Sequence, residues 1–180
     1  EHVPIRPVAT SRQRPVAGTG TAPSAGMVMI PSSPTRTRVR GAAESVPAIL
    51  AELSRRGVPN YFGPQRQGKS GDNHEVGAAL LNDARRRDKM SRTKRMWYLN
   101  SYQSYLFNRI LARRIDRIDR VFVGDWAMKS QNGACFLVED AEKEQIRADC
   151  FEISPTGILF GSRVSWAEGE PGVIEQAVVI

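Results

Sequence analysis

Residues Gly57 to Gly68 read GVPNYFGPQRQG, placing Asn60, two adjacent aromatics (Tyr61 and Phe62), an amide (Gln65) and a guanidinium (Arg66) between glycine-flanked turns. Glycine and proline at this density exclude a helix interior or a central strand, so the stretch is expected to be a shaped loop. Exposed aromatics beside an arginine suit one chemistry in particular: stacking an unpaired base while holding a phosphate. The same spacing also fits a purely structural turn with Tyr61 and Phe62 packed beneath it. No carboxylate or histidine lies within the twelve residues, so the stretch reads as a grip.

The elements around the loop must position it. Upstream, Val46, Ile49, Leu50 and Leu53 follow the i, i+3, i+4, i+7 rule of an amphipathic helix, with Ser45 as N-cap, Pro47 in the first turn and Gly57 as the stop. That helix runs directly into the loop. Downstream, Lys69 opens a polar turn, and a helix is expected from about His74 to Arg86, capped by Asp72 or Asn73. Its N-terminal N–H groups beside Gly and Lys could also seat an anion. His74 has no metal-ligand spacing around it and is read as a surface residue. Arg85 to Arg95, RRRDKMSRTKR, is the densest basic run. Ser91 interrupts it as an N-cap, which gathers Arg92, Lys94 and Arg95 at a helix junction where they could face a phosphate backbone. The longest helix is expected from about Arg92 to Ile115, with Trp97, Leu106 and Phe107 in the core.

Beyond it, Val121–Trp126 and Cys135–Val138 read as strands, Asp140–Ala148 as a helix and Phe151–Ile153 as a third strand. Asp125 reads as a turn residue at a strand end. Glu168–Glu175 opens a last helix whose final AVVI finds no partner in its own segment. Residues 1–38 are a low-complexity Pro/Ala/Gly/Ser/Thr/Arg arm with Glu1 as its only acid, too poor in apolar periodicity to order itself. The expected architecture is α/β (α+β): about four helices and a small mixed sheet from Val121 onward.

Composition sets the outer limits. The 180 residues suffice for one domain with a real core. Lys+Arg 26 against Asp+Glu 19 gives a net charge of +7 and a pI near 9.9, which favours a polyanionic partner. No stretch approaches the ~20 apolar residues of a membrane span and no signal peptide pattern is present, so a cytoplasmic protein is expected. The sequence does not fix the oligomeric state, and a monomer is the default expectation. Cys135 and Cys150 lack metal-ligand spacing, and neither a metal nor a cofactor is expected.

The loop also carries a resemblance. Gly57, Val58, Pro59, Asn60, Tyr61, Phe62, Gly63, Gln65, Arg66 and Gly68 resemble the signature G-V-P-N-Y-F-G-x-Q-R-F-G of the TruD family of tRNA pseudouridine synthases. Gln67 departs from it, standing where the family usually has Phe. Three further stretches resemble the family in the same order: Lys94 to Arg114 with its Leu106-Phe107-Asn108, the pair Gly124-Asp125, and Pro155 to Gly161. The resemblance implies a tRNA uridine isomerase acting on uridine-13 in the family, with tRNA as partner and Asn60, Tyr61, Phe62, Gln65, Arg66, Lys69, Arg92, Lys94 and Arg95 as RNA-binding candidates. It also implies a catalytic aspartate in a Gly-x-Lys-Asp motif upstream of the loop, on a catalytic domain with a large mixed sheet. No such motif occurs here, so the catalytic residue is unknown. The chain is expected to be a fragment, inactive alone, made of the 1–38 arm and a TRUD-like domain over 39–180 that is truncated at its C-terminus. The alternative is a non-catalytic RNA-binding module or degenerate homologue.

Overall fold

A single helix, α4 (Arg92–Arg114), forms the axis of the computed structural model, which describes residues 24–26, 28–29, 45–161 and 164–179. Ser91 caps it, its hydroxyl accepting the Lys94 N–H at 3.4 Å. Two adjacent apolar faces follow. Phe107 and Leu111 pack with Ile118, Phe62, Phe151 and Leu159; Leu106 and Ile110 pack with Ile158, Val178 and Phe160. A buried side chain of this size contributes about 1.5–3 kcal/mol, so α4 is held from both sides. Trp97 departs from expectation: its side chain is 58% exposed. Helix α2 (Asn73–Asn82) crosses α4 over Tyr98 and Tyr102 and leaves the Trp97 face uncovered.

That crossing depends on Gly77. A Cβ there would stand 2.2 Å from the Tyr98 carbonyl oxygen and 2.8 Å from Tyr102 Cβ. Alanine normally gains about 1 kcal/mol over glycine inside a helix. Here the obstacle is backbone and cannot swing away, so Gly77→Ala is expected to lose about 1–3 kcal/mol through overpacking, read as a lower urea midpoint. The expected helix over 74–86 breaks at Asp83, whose extended ψ of 93° ends α2, and α3 (Ala84–Asp88) is a separate short turn of helix.

Helix α1 (Val46–Arg56) forms where the periodicity predicts it, but its stripe is not packed against the described residues: Val46, Ile49, Leu50 and Leu53 are all exposed. Polar contacts dock its last turn instead. Arg56 donates to the carbonyls of Ile115 (3.0 Å) and Asp116 (2.7 Å), and Arg55 and Arg56 both pair with Asp119.

Strands β1 (Ser24–Gly26), β4 (Trp126–Lys129), β5 (Cys135–Leu137) and β6 (Ile153–Ile158) form a sheet in the order β1-β6-β4-β5, antiparallel throughout. A second, two-stranded sheet joins β2 (Val28–Met29) to β3 (Val58–Pro59) at the start of the signature loop. Strands β1 and β2 lie inside the stretch read as an unstructured arm. They are recruited through backbone pairing, which composition does not encode. Helix α5 (Ala141–Asp149) sits where predicted, capped by Asp140 Oδ1 on the Lys143 N–H at 3.0 Å.

Two strand assignments change. Val121–Gly124 is not extended: Gly124 has φ +89°, and a Cβ there would meet the Glu168 carbonyl oxygen at 2.4 Å, so the chain must turn before β4 can start. The segment from Pro155, beyond the strand expected over Phe151–Ile153, is the second half of β6, buried along its whole length. Proline is normally excluded from a central strand. It is accommodated because β6 changes partners there: β4 pairs with residues 153–155 and β1 with 156–158. The Thr156 hydroxyl then donates to the Trp126 carbonyl at 2.9 Å, continuing the contact with β4 by a side chain.

Helix α6 (Gly169–Val179) closes the core, with Val178 buried against α4 and β6 while Val179 is exposed. Glu175 is buried on this helix and accepts the Ala167 N–H at 2.9 Å. Burial raises its carboxyl to about 7 from an ordinary 4.5, and the nearby Asp125 charge adds to the rise. The unfolded chain releases this proton near pH 4.5 while the folded chain keeps it to about 7. The group's contribution is therefore full below 4.5 and is lost as pH rises through 7. Glu175→Gln retains an oxygen acceptor for Ala167 and cannot ionise. It is expected to melt higher than wild type at pH 8, the gap closing by pH 5.

Candidate RNA interface

The loop is built on α1 and clamped by α4. Gly57, at φ +79°, turns the chain out of α1 while its N–H still reaches the Leu53 carbonyl at 2.8 Å. Val58–Pro59 then pairs with β2. Asn108 on α4 next takes the loop from both directions: its Nδ2 donates to the Phe62 carbonyl and its Oδ1 accepts the Phe62 N–H, both at 2.9 Å. The Phe62 ring stands edge-on to Phe107 with centroids 5.2 Å apart. Phe62 is thus the loop's anchor, whereas its neighbour Tyr61 is 43% exposed. Phe62 is packed beneath the turn, and Tyr61 is open to solvent.

A 3-10 turn over Pro64–Arg66 follows, and a second set of polar ties holds it. The Arg66 carbonyl accepts the Ser101 hydroxyl at 2.7 Å and the Asn73 amide at 3.3 Å. Gln67 donates to the Ser101 carbonyl at 3.2 Å, and its Oε1 lies 3.0 Å from His74 Nδ1. The position that departs from the family's Phe therefore works as a polar tie between loop, α2 and α4. Gly68, at φ +74°, lets the chain pass Asn73, whose amide would lie 2.8 Å from a Cβ there. With its backbone fixed, the exposed Arg66 side chain lays its guanidinium 5.5 Å above the Phe62 ring.

The remaining candidates fall into groups. Gln65 and Lys69 are exposed on the loop and just beyond it, and Asn60 is half-buried at the loop's start. Arg92 and Lys94 are exposed and Arg95 half-buried on the first turns of α4, the helix that holds Arg66 through Ser101. His74 is not a plain surface residue: it is half-buried and stacks on Tyr105 with centroids 4.1 Å apart. The first N–H of α2, on Asn73, is already taken by the Gln67 carbonyl at 3.2 Å, which leaves that donor closed to an anion.

Sequence reasoning missed Asn73, Ser101 and Asn108 as loop anchors: Asn73 stood there only as a candidate helix cap, and Ser101 and Asn108 only within the Lys94 to Arg114 resemblance. Among the described residues no group of three His, Cys, Asp or Glu could hold a metal ion, and no helix is long and apolar enough to cross a membrane. The buried acids lie elsewhere. Asp125 pairs with Arg114, thirteen residues along α4 from Ser101, about 20 Å at helical rise.

The sequence model of the family described as tRNA pseudouridine synthase D (TruD) matches residues 34–88 and 87–180. The chain belongs to the TruD family. A tRNA pseudouridine synthase D of Geobacter sulfurreducens is 36% identical over 205 residues, covering 80% of this chain and 50% of that one. Another, from Thermus thermophilus, is 41% identical over 144 residues, covering 79% of this chain and 40% of that one. This TruD chain spans about half or less of the length of these curated relatives. A crystal structure described as a TruD from Methanosarcina mazei superposes with a TM-score of 0.59 over 79% of this chain and 51% of that one. At 18% identity that likeness shows the α+β fold alone.

Proposed function

We propose that this chain is the RNA-holding part of a cytoplasmic, monomeric TruD-type tRNA pseudouridine synthase. It grips tRNA around a uridine, uridine-13 in the family, that is isomerised to pseudouridine with an aspartate this chain does not supply. One observation carries the reading: a loop without carboxylates, its backbone fixed by Asn108, Ser101 and Asn73, presents Tyr61 and Arg66 to solvent, with Lys69 beyond it and the cationic start of α4 alongside. Isomerising a base inside folded RNA requires taking it out of its stack, which needs a ring to receive it and cations to hold its flanking phosphates. The chain offers those parts. It contains no Gly-x-Lys-Asp motif, and its buried acids serve the core.

Equilibrium binding to unmodified tRNA at about 50 and 200 mM salt, beside a pseudouridine assay, tests this. The expected result is binding that weakens with salt, a slope shallower by about 1 in Arg66→Ala and in Arg92→Ala, and no product. Product would overturn the assignment of catalysis to residues outside this chain. Salt-independent or absent binding would overturn the RNA-holding reading. Binding without product from a complete polypeptide that carries this chain would favour a module that only binds.

A further inference from the structure

We infer that Trp97 is a stacking platform for an unpaired base of the RNA held by the signature loop, an inference that rests on the RNA-holding reading above. The indole lies on the second turn of α4, 58% exposed, with Met96 also exposed beside it. It contributes to none of the three core clusters among the described residues. Its place relative to the loop is fixed by Ser101, one turn further along. The Ser101 hydroxyl lies 2.7 Å from the Arg66 carbonyl and 3.0 Å from the Trp97 carbonyl, so the backbones of the 3-10 turn and of Trp97 flank a single hydroxyl.

The surroundings select the occupant. Arg92, Lys94 and Arg95 precede the indole within two turns, and no acidic residue occurs between Asp88 and Asp116. A ring this exposed in so cationic a setting suits a flat, apolar group attached to a polyanion, which describes a nucleobase in a single-stranded segment. An apolar protein surface would face the cost of covering those cations. Tyr61, Arg66 over Phe62, and Trp97 then form a track from the loop onto α4, with Trp97 receiving a base next to the one at the loop.

The test is tRNA binding by the full chain at low and at moderate salt, comparing wild type, Trp97→Phe, Trp97→Ala, Arg66→Ala and Arg92→Ala, with thermal melts of each. Losing one stacked base weakens binding by about 5- to 150-fold. Trp97→Ala is expected to show that loss with the wild-type melting point, because the side chain packs little, and with the wild-type salt slope, because no phosphate contact goes. Trp97→Phe keeps a π face and retains most of the affinity. It also loses part of the tryptophan fluorescence quenching that RNA causes in wild type. Wild-type affinity in Trp97→Ala, or quenching unchanged in Trp97→Phe, while Arg66→Ala and Arg92→Ala bind weakly, would overturn the Trp97 inference and leave the loop's role standing. Should none of the four substitutions matter, the RNA-holding reading itself fails.

Discussion

Arg114→Ala is expected to cost this protein about 3–5 kcal/mol, the largest loss from any single substitution considered. Arg114 and Asp125 are 3% and 1% exposed and bond to each other through the two terminal guanidinium nitrogens, Nη1 and Nη2, and both carboxylate oxygens. Asp125 Oδ2 also accepts the Phe122 N–H at 2.9 Å, and Arg114 Nη2 donates to the Arg120 carbonyl at 3.0 Å. The pair therefore closes the turn that leads into β4 while tying that turn to the end of α4. Removing the guanidinium leaves a carboxylate in the core facing only one remaining donor, and it is this unpaired charge that is expensive. For a domain of this size the loss corresponds to a melting point lower by roughly 6–20 °C. A double variant, Arg114→Met with Asp125→Leu, removes both charges and is expected to be more stable than either single charge-removing variant. Chemical denaturation of the single and double variants checks this, and single-site losses under ~1 kcal/mol would mean the pair is solvated.

The second large effect concerns the loop. Asn108→Ala removes both hydrogen bonds to Phe62 and is expected to cost about 2–3 kcal/mol, taking roughly 1 kcal/mol for each bond plus the penalty for backbone groups left without partners. The loss is local, since the Phe62 ring retains its contact with Phe107. Amide exchange at Phe62 should accelerate, and tRNA affinity should fall with it, because Arg66 would no longer be held above a fixed ring. Asn108→Asp separates the two bonds. A carboxylate still accepts the Phe62 N–H but faces the Phe62 carbonyl with an oxygen in place of a donor. It is expected to be at least as damaging as alanine at neutral pH and to recover partly as the carboxyl is protonated. Equal exchange rates in wild type and Asn108→Ala would refute the clamp.

Much of this architecture is written in local signals. Ser91, Asp140 and Gly57 mark helix ends that the structure keeps, because a cap is a contact between near neighbours. Leu106 and Phe107 are core as their spacing demands. What was hidden depends on partners distant in sequence. Trp97 shares the periodicity of α4, yet Gly77 brings α2 across the Tyr98 side, so helical spacing alone could not say which face would be covered. The strand character of Pro155–Ile158 was masked by a proline that the partner change accommodates. At the site, the GVPNYFG stretch was legible as a shaped loop because glycine and proline at that density exclude a helix or central strand. Its supports were not: Asn73, Ser101 and Asn108 are ordinary polar residues on helices, and only the fold turns them into a clamp.

The pairing of β1 with β6 carries a consequence for how the chain is made. Ser24 bonds opposite Ile158, and Val28 opposite Pro59, so one short N-terminal segment serves two sheets whose other strands leave the ribosome at very different times. Its partner at the signature loop follows within a few dozen residues. Its partner in the larger sheet follows about 130 residues after β1, once α4, β4 and α5 have emerged. Closing so long a loop carries an entropic penalty that only the finished core offsets, which makes β1 the natural last piece to dock. Until β1 docks, β6 presents an open edge from Thr156 to Ile158, and over that interval the nascent chain is exposed to pairing with the wrong strand.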